Sequence, residues 1–389
     1  MSNKNSYPYY DSDVAVQQPK RKKKGSGLLG RIIRRFFLVV FTIIILAVAA
    51  LCLVLNTVFK GPSDAAREVL TMSLLEPSGT KWIPPLFLDE ETLNSIRYKS
   101  GDELEDDFTN TELVVINKDK VLTGGDEWAK DPDGIRIEEY KGATFNAHIM
   151  IVRDPSAVFM GTSTEKYSTE IPGKRLNEAM DAAGESVIAA VNAGAFFDNG
   201  TSDPIVGSVP AGLVYANGKQ VWNAYHGFIP AETGGGFVGF NTDNILVVAK
   251  SITPEQAEEL KIRDGCEFGP VLIMNGEVNM EAYNKASGWN PRSAIGQRED
   301  GAIIFVCIDG RQAGSIGGTY KDVTDIMIEY GAVNACNLDG GSSSVMMYRD
   351  MEGKRGEVGQ VHMINSYSVL QSQPRRMPNY WMVRASSEE

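Results

Sequence analysis

Hydrophobic and polar positions divide this chain into three regimes. Residues 1–30 are polar and basic, with Gly and Ser, and predict a segment that builds no core. Residues 36–59, FFLVVFTIIILAVAALCLVLNTVF, carry no charge over 24 positions, enough to cross a hydrocarbon layer of about 30 Å as one helix. From about Ile135 short apolar runs alternate with Gly, Asn and Asp clusters, the pattern of a folded domain of strands and short helices. FNAHIMIVR (145–153) reads as a strand, GKRLNEAMDAAG as a helix ending at Gly184, and ESVIAAVN as a strand leading to Asn192. GLVYANGKQVW is a hairpin turning at Asn217-Gly218, GFVGFNTDNILVVA a strand pair, and PVLIMNGEVN a second Asn-Gly hairpin. RSAIGQREDGAIIFVCIDG is a third hairpin. TPEQAEELKIRDG reads as a helix with Thr253 as its N-cap. The stretch between the apolar run and Ile135 predicts a spacer that packs on the domain edge, with short helices in DAAREVLTMSLL and around DEETLNSI.

The densest pattern lies in residues 301–348. AIIFVCI ends in Asp309-Gly310-Arg311, and AVNACNL ends in Asp339-Gly340-Gly341-Ser342-Ser343. Between them Val323, Ile326, Met327 and Tyr330 recur at helical spacing, and Gly331 closes the helix. Strand, helix, strand at this distance predicts a crossover unit with two parallel, neighbouring strands. Both aspartates would then emerge at the carboxyl-terminal edge of one sheet, where open α/β sheets bind ligands. Two acids in one site can divide general-acid and general-base work, because a shared site drives their pKa values apart. Turn chemistry alone also produces Asp-Gly after a strand.

Strands outnumber helices, so the expected fold is α+β: a mostly antiparallel sheet with one parallel βαβ crossover, preceded by a single N-terminal transmembrane helix. The expected organisation is a basic cytoplasmic tail (1–35), a membrane signal anchor (36–59), a juxtamembrane spacer (60–134) and one domain (135–389). Charge sharpens this division. Residues 1–60 hold ten of the 38 Lys and Arg but two of the 50 Asp and Glu, a net +8, which leaves −20 on the rest of the chain. An acidic body disfavours nucleic acid as a partner. Basic residues before the apolar run place the N-terminus in the cytoplasm and the domain outside the cell membrane. A cleaved signal peptide would have a shorter apolar core ending in an A-x-A-like site, whereas this run is longer and does not end that way. Cys266, Cys307 and Cys336 make an odd number beyond the membrane segment, so buried free thiols are expected. If the two aspartates are level, Cys307 and Cys336 point to opposite faces of the sheet. No Cys/His pattern suggests zinc, and no GxSxG or Ser-His-Asp spacing suggests a serine hydrolase.

Six segments in order across residues 135–385 resemble the phosphodiester glycosidase family. They are Asn192-Ala-Gly-Ala-Phe-Phe197, Pro291-Arg-Ser-Ala-Ile-Gly296, Asp309-Gly-Arg311, Gly317-Gly-Thr, Leu338-Asp-Gly-Gly-Ser-Ser343 and Arg376-Met-Pro-Asn-Tyr-Trp. Ala193 and Ala195 stand where the family is usually richer in glycine. The family includes the lysosomal enzyme that removes N-acetylglucosamine from its phosphodiester link to mannose, and bacterial proteins associated with exopolysaccharide and cell-wall glycans. The resemblance implies hydrolysis of the bond between a sugar anomeric carbon and a phosphodiester in cell-surface glycan. Such a site must bind phosphate, stabilise positive charge on the sugar and direct water.

On that reading Asp309 and Asp339 are the catalytic candidates, and Arg292 and Arg311 suit phosphate through their guanidinium forks. Gly317, Gly318, Gly340, Gly341, Ser342 and Ser343 could offer backbone N–H groups to an anion, or simply permit tight turns. Asn192 could bind sugar hydroxyls or phosphate, and Phe197 could stack on a sugar face. His226 lies in a glycine-bearing stretch and could reach such a site, whereas His148 and His362 receive no role. The separation of the two acids would separate retention from inversion. The sequence requires no cofactor, although the same acids could hold a divalent cation. Two competing functions stay open: a non-catalytic glycan-binding or cell-envelope assembly protein, and a metal-dependent phosphodiesterase cutting P–O.

Overall fold

A computed structural model describes residues 28–389, apart from 78, 98–103, 117–127, 129–130, 132, 198–206, 225–235, 352, 354–356, 368–372 and 386–389. The chain forms two compact units, Met1–Thr57 and Val58–Glu389. Helix α1 (Leu28–Phe59) contains the stretch Gly30–Phe59, long and apolar enough to cross a membrane, a property that a signal sequence shares.

The second unit begins with α2 (Asp64–Leu75) and α3 (Glu90–Arg97). Ser63 caps α2 by accepting a hydrogen bond from the Ala66 amide, and Pro77 follows its C-cap Glu76. The strands are β1 (Ile135–Lys141), β2 (Asn146–Val152), β3 (Val158–Thr162), β4 (Val187–Asn192), β5 (Leu213–Ala216), β6 (Lys219–Asn223), β7 (Phe237–Asn241), β8 (Leu246–Ala249) and β9 (Ile262–Glu267). They continue with β10 (Val271–Met274), β11 (Glu277–Val278), β12 (Arg292–Arg298), β13 (Ile303–Ile308), β14 (Ala332–Leu338), β15 (Met346–Arg349), β16 (Val361–Met363) and β17 (Asn379–Arg384). Helices α4 (Leu176–Ala183), α5 (Pro254–Glu259), α6 (Met280–Asn284) and α7 (Tyr320–Glu329) lie between them.

Three sheets result, with seven strands in the order β1-β2-β13-β12-β14-β10-β11, five as β16-β15-β4-β17-β3 and five as β6-β5-β9-β7-β8. One face of the seven-stranded sheet carries α7, whose Val323, Ile326 and Met327 pack on Ile149, Ala294 and Ile304. Its other face joins both smaller sheets in one core that includes Met150, Ile295, Phe305, Val191, Phe240 and Trp381.

The expected parallel crossover does not form among the described strands. Strand β12 inserts between β13 and β14 and pairs antiparallel with each, and every pairing among the described strands is antiparallel. The two outer strands still run the same way and end at the same edge. The reason is competition between strands: the RSAIGQREDGAIIFVCI hairpin claims the edge of β13 before α7 delivers β14. Register adds a second correction. Cys307 and Leu338 both stand opposite Ser293, so the aspartates are offset by one residue. Cys307 and Cys336 therefore share a face, and both enter the same core cluster. They are free and buried, as is Cys266. A third correction concerns 253–265, where the helix stops at Glu259. Lys261 adopts φ 54°, and Ile262–Glu267 becomes the central strand of its sheet, held between β5 and β7. Burial on both sides outweighs the charged residues of that segment, with Arg263 paired to Asp264.

Candidate functional site

The end of β12 organises the site. Gly310 packs against Pro291, and the Gly341 amide donates to the Pro291 carbonyl at 2.8 Å, so the loops after β13 and β14 meet on one residue. Side chains alternate across a sheet, and a one-residue offset sends the two aspartates to different faces. Asp339 lines a cavity of about 660 Å³ with Arg292, Arg311, Asn290, Tyr320, Gly340 and Gly341. That size suits a small-molecule ligand. Asp309 is not among its lining residues.

Arg292 is 4% exposed and starts β12. Its Nε donates to the Gly318 carbonyl at 3.2 Å and its Nη2 to the Gly288 carbonyl at 2.8 Å. Its guanidinium lies 4.4 Å from the centre of the Tyr320 ring, a cation–π contact. The same Nη2 meets Glu76 Oε2 at 2.9 Å. Burial would lower the Arg292 pKa, but the Glu76 carboxylate and Tyr320 more than offset it, and the group is held above its ordinary value. Burial raises the Tyr320 phenol in turn, with the Arg292 charge pulling it back.

Glu76 arrives from the end of α2, far away in sequence. Its carboxylate also accepts from the Gly288 amide at 3.0 Å and from Asn290 Nδ2 at 2.5 Å. Gly288 has no Cβ because one would collide with the backbone of Ser73 in α2. Three donors therefore form an oxyanion cradle around one carboxylate. Arg311 completes it by donating from Nη2 to Asn290 Oδ1 at 3.1 Å. Its backbone sits at φ 60°, a left-handed conformation costing a non-glycine residue roughly 1–2 kcal/mol.

Asp309 is 3% exposed and lies on the other face. Its Oδ1 accepts from the Ser366 amide at 2.9 Å, and its Oδ2 stands 3.4 Å from His148 Nε2. Asn192 is fully buried. Its Nδ2 donates to the Asp339 carbonyl at 2.7 Å, and its Oδ1 accepts from Ser293 Oγ at 2.7 Å and the Val345 amide at 3.1 Å. Its amide thus anchors the Asp339 loop.

The glycines brace rather than point at open space. The Gly318 amide donates to the Asn290 carbonyl at 3.0 Å, and Gly317, at φ +122°, lies where a Cβ would meet the Asn290 backbone at 2.5–2.7 Å. The Gly340 amide donates to Asp339 Oδ1 at 2.8 Å. Ser342 Oγ accepts from Arg375 Nη1 at 3.3 Å, and Ser343 is 1% exposed. Phe197 is half-buried, its amide bonded to the Val209 carbonyl at 3.0 Å. His226 lies outside the described residues. Among the described residues no group of three or more His, Cys, Asp or Glu side chains could hold a metal ion.

Two participants escaped the sequence reading. Glu76 sits in what reads as a spacer, and nothing in its neighbours signals a distant arginine. His148 carried a usable signal: alternation along β2 puts it on the face of Met150, opposite Cys307 and two residues from the level of Asp309.

The family model described as phosphodiester glycosidase (NAGPA) matches residues 185–384, about half of the chain. The chain belongs to the phosphodiester glycosidase family. Membership suggests glycosidase activity on phosphodiester-linked sugars. A curated relative, the SPbeta prophage-derived uncharacterized protein YomE of Bacillus subtilis (strain 168), is 46% identical over 85 residues, which cover 21% of this chain and 13% of that protein. Among solved structures, the catalytic domain of zebrafish N-acetylglucosamine-1-phosphodiester alpha-N-acetylglucosaminidase, auto-inhibited by its pro-peptide, matches at TM-score 0.43 and 18% identity, over 64% of this chain and 82% of that one. A hypothetical protein from Synechocystis matches at TM-score 0.42 and 16% identity, over 64% of this chain and 62% of that one.

Proposed function

We propose that this phosphodiester glycosidase is a membrane-anchored enzyme that hydrolyses the bond between a sugar anomeric carbon and a phosphodiester in cell-surface glycan. The N-terminus is cytoplasmic and the domain extracytoplasmic, by the charge on either side of α1. The observation that carries the chemistry is the cavity in which Arg292, Arg311 and Asp339 meet. Two guanidinium groups, one of them paired with Glu76, beside the Asp339 carboxylate suit an anionic leaving group next to a carbon that develops positive charge.

In the proposed reaction the phosphate displaces the Glu76 carboxylate from its cradle, and Arg292 and Arg311 bind the phosphate oxygens. Asp339 either takes the proton of a water that attacks the anomeric carbon, or attacks that carbon itself to form a glycosyl ester that a water then hydrolyses. The C–O bond electrons pass to the phosphate oxygen, which leaves as a phosphomonoester and needs no proton. Asp309, paired with His148 on the other face of the same sheet edge, supplies a fixed charge. Asn192 and the glycine loops hold Asp339 and Arg292 in place, and Phe197 offers an apolar face to the sugar.

The test is hydrolysis of a panel of sugar-1-phosphodiesters by the full chain in uncharged detergent, in ¹⁸O-labelled water. Label on the anomeric oxygen of the released sugar supports C–O cleavage. Label on phosphate would move the protein to the phosphodiesterases. Asp339→Asn should lower kcat by about 10²–10⁴ while the protein stays folded. Retained glycan binding without product would favour a non-catalytic role.

A further inference from the structure

The wall of the cavity opposite β12 is built by the segment between the membrane helix and the domain. Met72, Leu75 and Glu76 come from α2 and its cap, Lys81 follows, and Arg97 ends α3. The lining thus holds four cationic side chains, Lys81, Arg97, Arg292 and Arg311, against two acids, Glu76 and Asp339. This excess sits in a body that is otherwise strongly acidic, at −20 beyond residue 60.

The four cations differ in how they are held. Arg292 is buried, with its guanidinium committed to Glu76, Gly288 and Gly318, and Arg311 is braced on Asn290. Lys81 and Arg97 are exposed and have no ion pair with any described residue. The lining carries a net +2, and one phosphodiester brings one negative charge, so positive charge at the cavity is left over. Lys81 and Arg97, outside the arginine pair, are placed to meet a second anion.

We propose that Lys81 and Arg97 form a second anion subsite, and that the substrate carries another negatively charged group beyond the scissile phosphodiester. This deepens the glycosidase reading and rests on it for the identity of the first group. Two sources share this chemistry: the next phosphodiester of a repeating sugar-phosphate polymer, or a carboxylate on a neighbouring acidic sugar. The juxtamembrane segment is then a specificity element, not a tether. A substrate with a neutral group beyond the phosphodiester would bind at the arginine pair and leave these two cations unused.

The experiment is calorimetric titration of the full chain in uncharged detergent with inorganic phosphate, tripolyphosphate and phosphoglycolate. Lys81→Gln/Arg97→Gln is compared with the wild type at fixed ionic strength. The wild type should bind tripolyphosphate at least tenfold more tightly than phosphate. The double variant should lose that preference and keep the wild-type affinity for phosphate. Both positions are exposed, so its melting temperature should be unchanged, and Lys81→Glu should weaken tripolyphosphate binding further. If phosphoglycolate shares the preference, the second subsite accepts a carboxylate. If only tripolyphosphate does, a second phosphate is selected, and either pattern supports the subsite. A wild type without preference, or a double variant that keeps it, overturns the proposal. Because binding is read without turnover, absence of hydrolysis alongside the preference would remove the glycosidase reading alone. Hydrolysis of a methyl phosphodiester unaffected by Lys81→Gln/Arg97→Gln, together with no tripolyphosphate preference, would remove this inference alone.

Discussion

Replacing Glu76 with Ala vacates an oxyanion cradle and leaves Arg292 buried without its counter-ion. Breaking a buried pair from one side costs about 3–5 kcal/mol. Glu76 is 24% exposed at its side chain, and Arg292 keeps the Gly288 and Gly318 carbonyls, so about 3 kcal/mol is expected here. For a unit of this size each kcal/mol shifts the melting temperature by about 2 °C, giving a fall of about 6 °C. The informative step is adding phosphate. In the variant the Gly288 amide, Asn290 Nδ2 and Arg292 Nη2 are open to an external oxyanion. At phosphate near one hundred times its dissociation constant, about 2.7 kcal/mol should return. The wild type should gain less, because its own carboxylate competes. Thermal unfolding of both proteins, with phosphate against chloride at equal ionic strength, reads both effects. Equal phosphate shifts in the two proteins would refute the reasoning, since the carboxylate would then not occupy the anion position. A Glu76→Ala/Arg292→Met chain should show no phosphate effect, and the two substitutions should couple rather than add.

Three further outcomes follow from named contacts. Gly317→Ala forces a side chain into the Asn290 backbone at φ +122°; phosphate affinity measured by calorimetry should fall, because Asn290 carries both Glu76 and Arg311. Burial raises the Cys266, Cys307 and Cys336 thiols far above their ordinary value, so these three should react with a maleimide only after unfolding, as read by mass spectrometry. Burial pushes the Glu178 carboxyl up, but Arg175 and Arg376 outweigh it and hold it below the ordinary value. A depressed folded pKa adds stability that is present above the unfolded value and lost as pH falls through the folded one. The melting-temperature gap between wild type and Glu178→Gln should therefore be full near neutrality and close below about pH 4.

The parts of the fold legible in the sequence are those fixed by local chemistry. Asn217-Gly218 and Asn275-Gly276 form hairpin turns with positive φ at both positions, as their residue types require. Helix α7 is readable from Thr319, which caps it reciprocally with Asp322, to Gly331 at φ 81°. What was not legible is non-local. Whether β13 and β14 touch depends on β12 competing for the same edge. The helical reading of 253–265 holds only to Glu259, because the fate of Ile262–Glu267 is set by β5 and β7, which bury it on both sides. The candidate site divides the same way. Arg292, Arg311, Asp339, Gly340 and Gly341 come together at one cavity. Glu76 joins them only through tertiary packing of α2 on Gly288.

The one-residue offset between the aspartates bears directly on chemistry. Asp339 shares a face with the guanidinium groups, where a phosphate would sit. Asp309 shares the opposite face with His148 and is almost sealed from solvent. Acids on two faces of one edge meet different dielectric surroundings and different charges, the condition that lets two identical groups take different roles. Asn192 links these halves, bonded to the Asp339 carbonyl and, through Ser293, to the strand that separates β13 from β14. Asn192→Asp would place a carboxylate against the Asp339 carbonyl oxygen, a repulsion with no solvent to relieve it. It should destabilise the loop and lower kcat together, whereas Asn192→Ser should lower kcat less. Activity of Asn192→Asp equal to wild type would show that the two faces work independently.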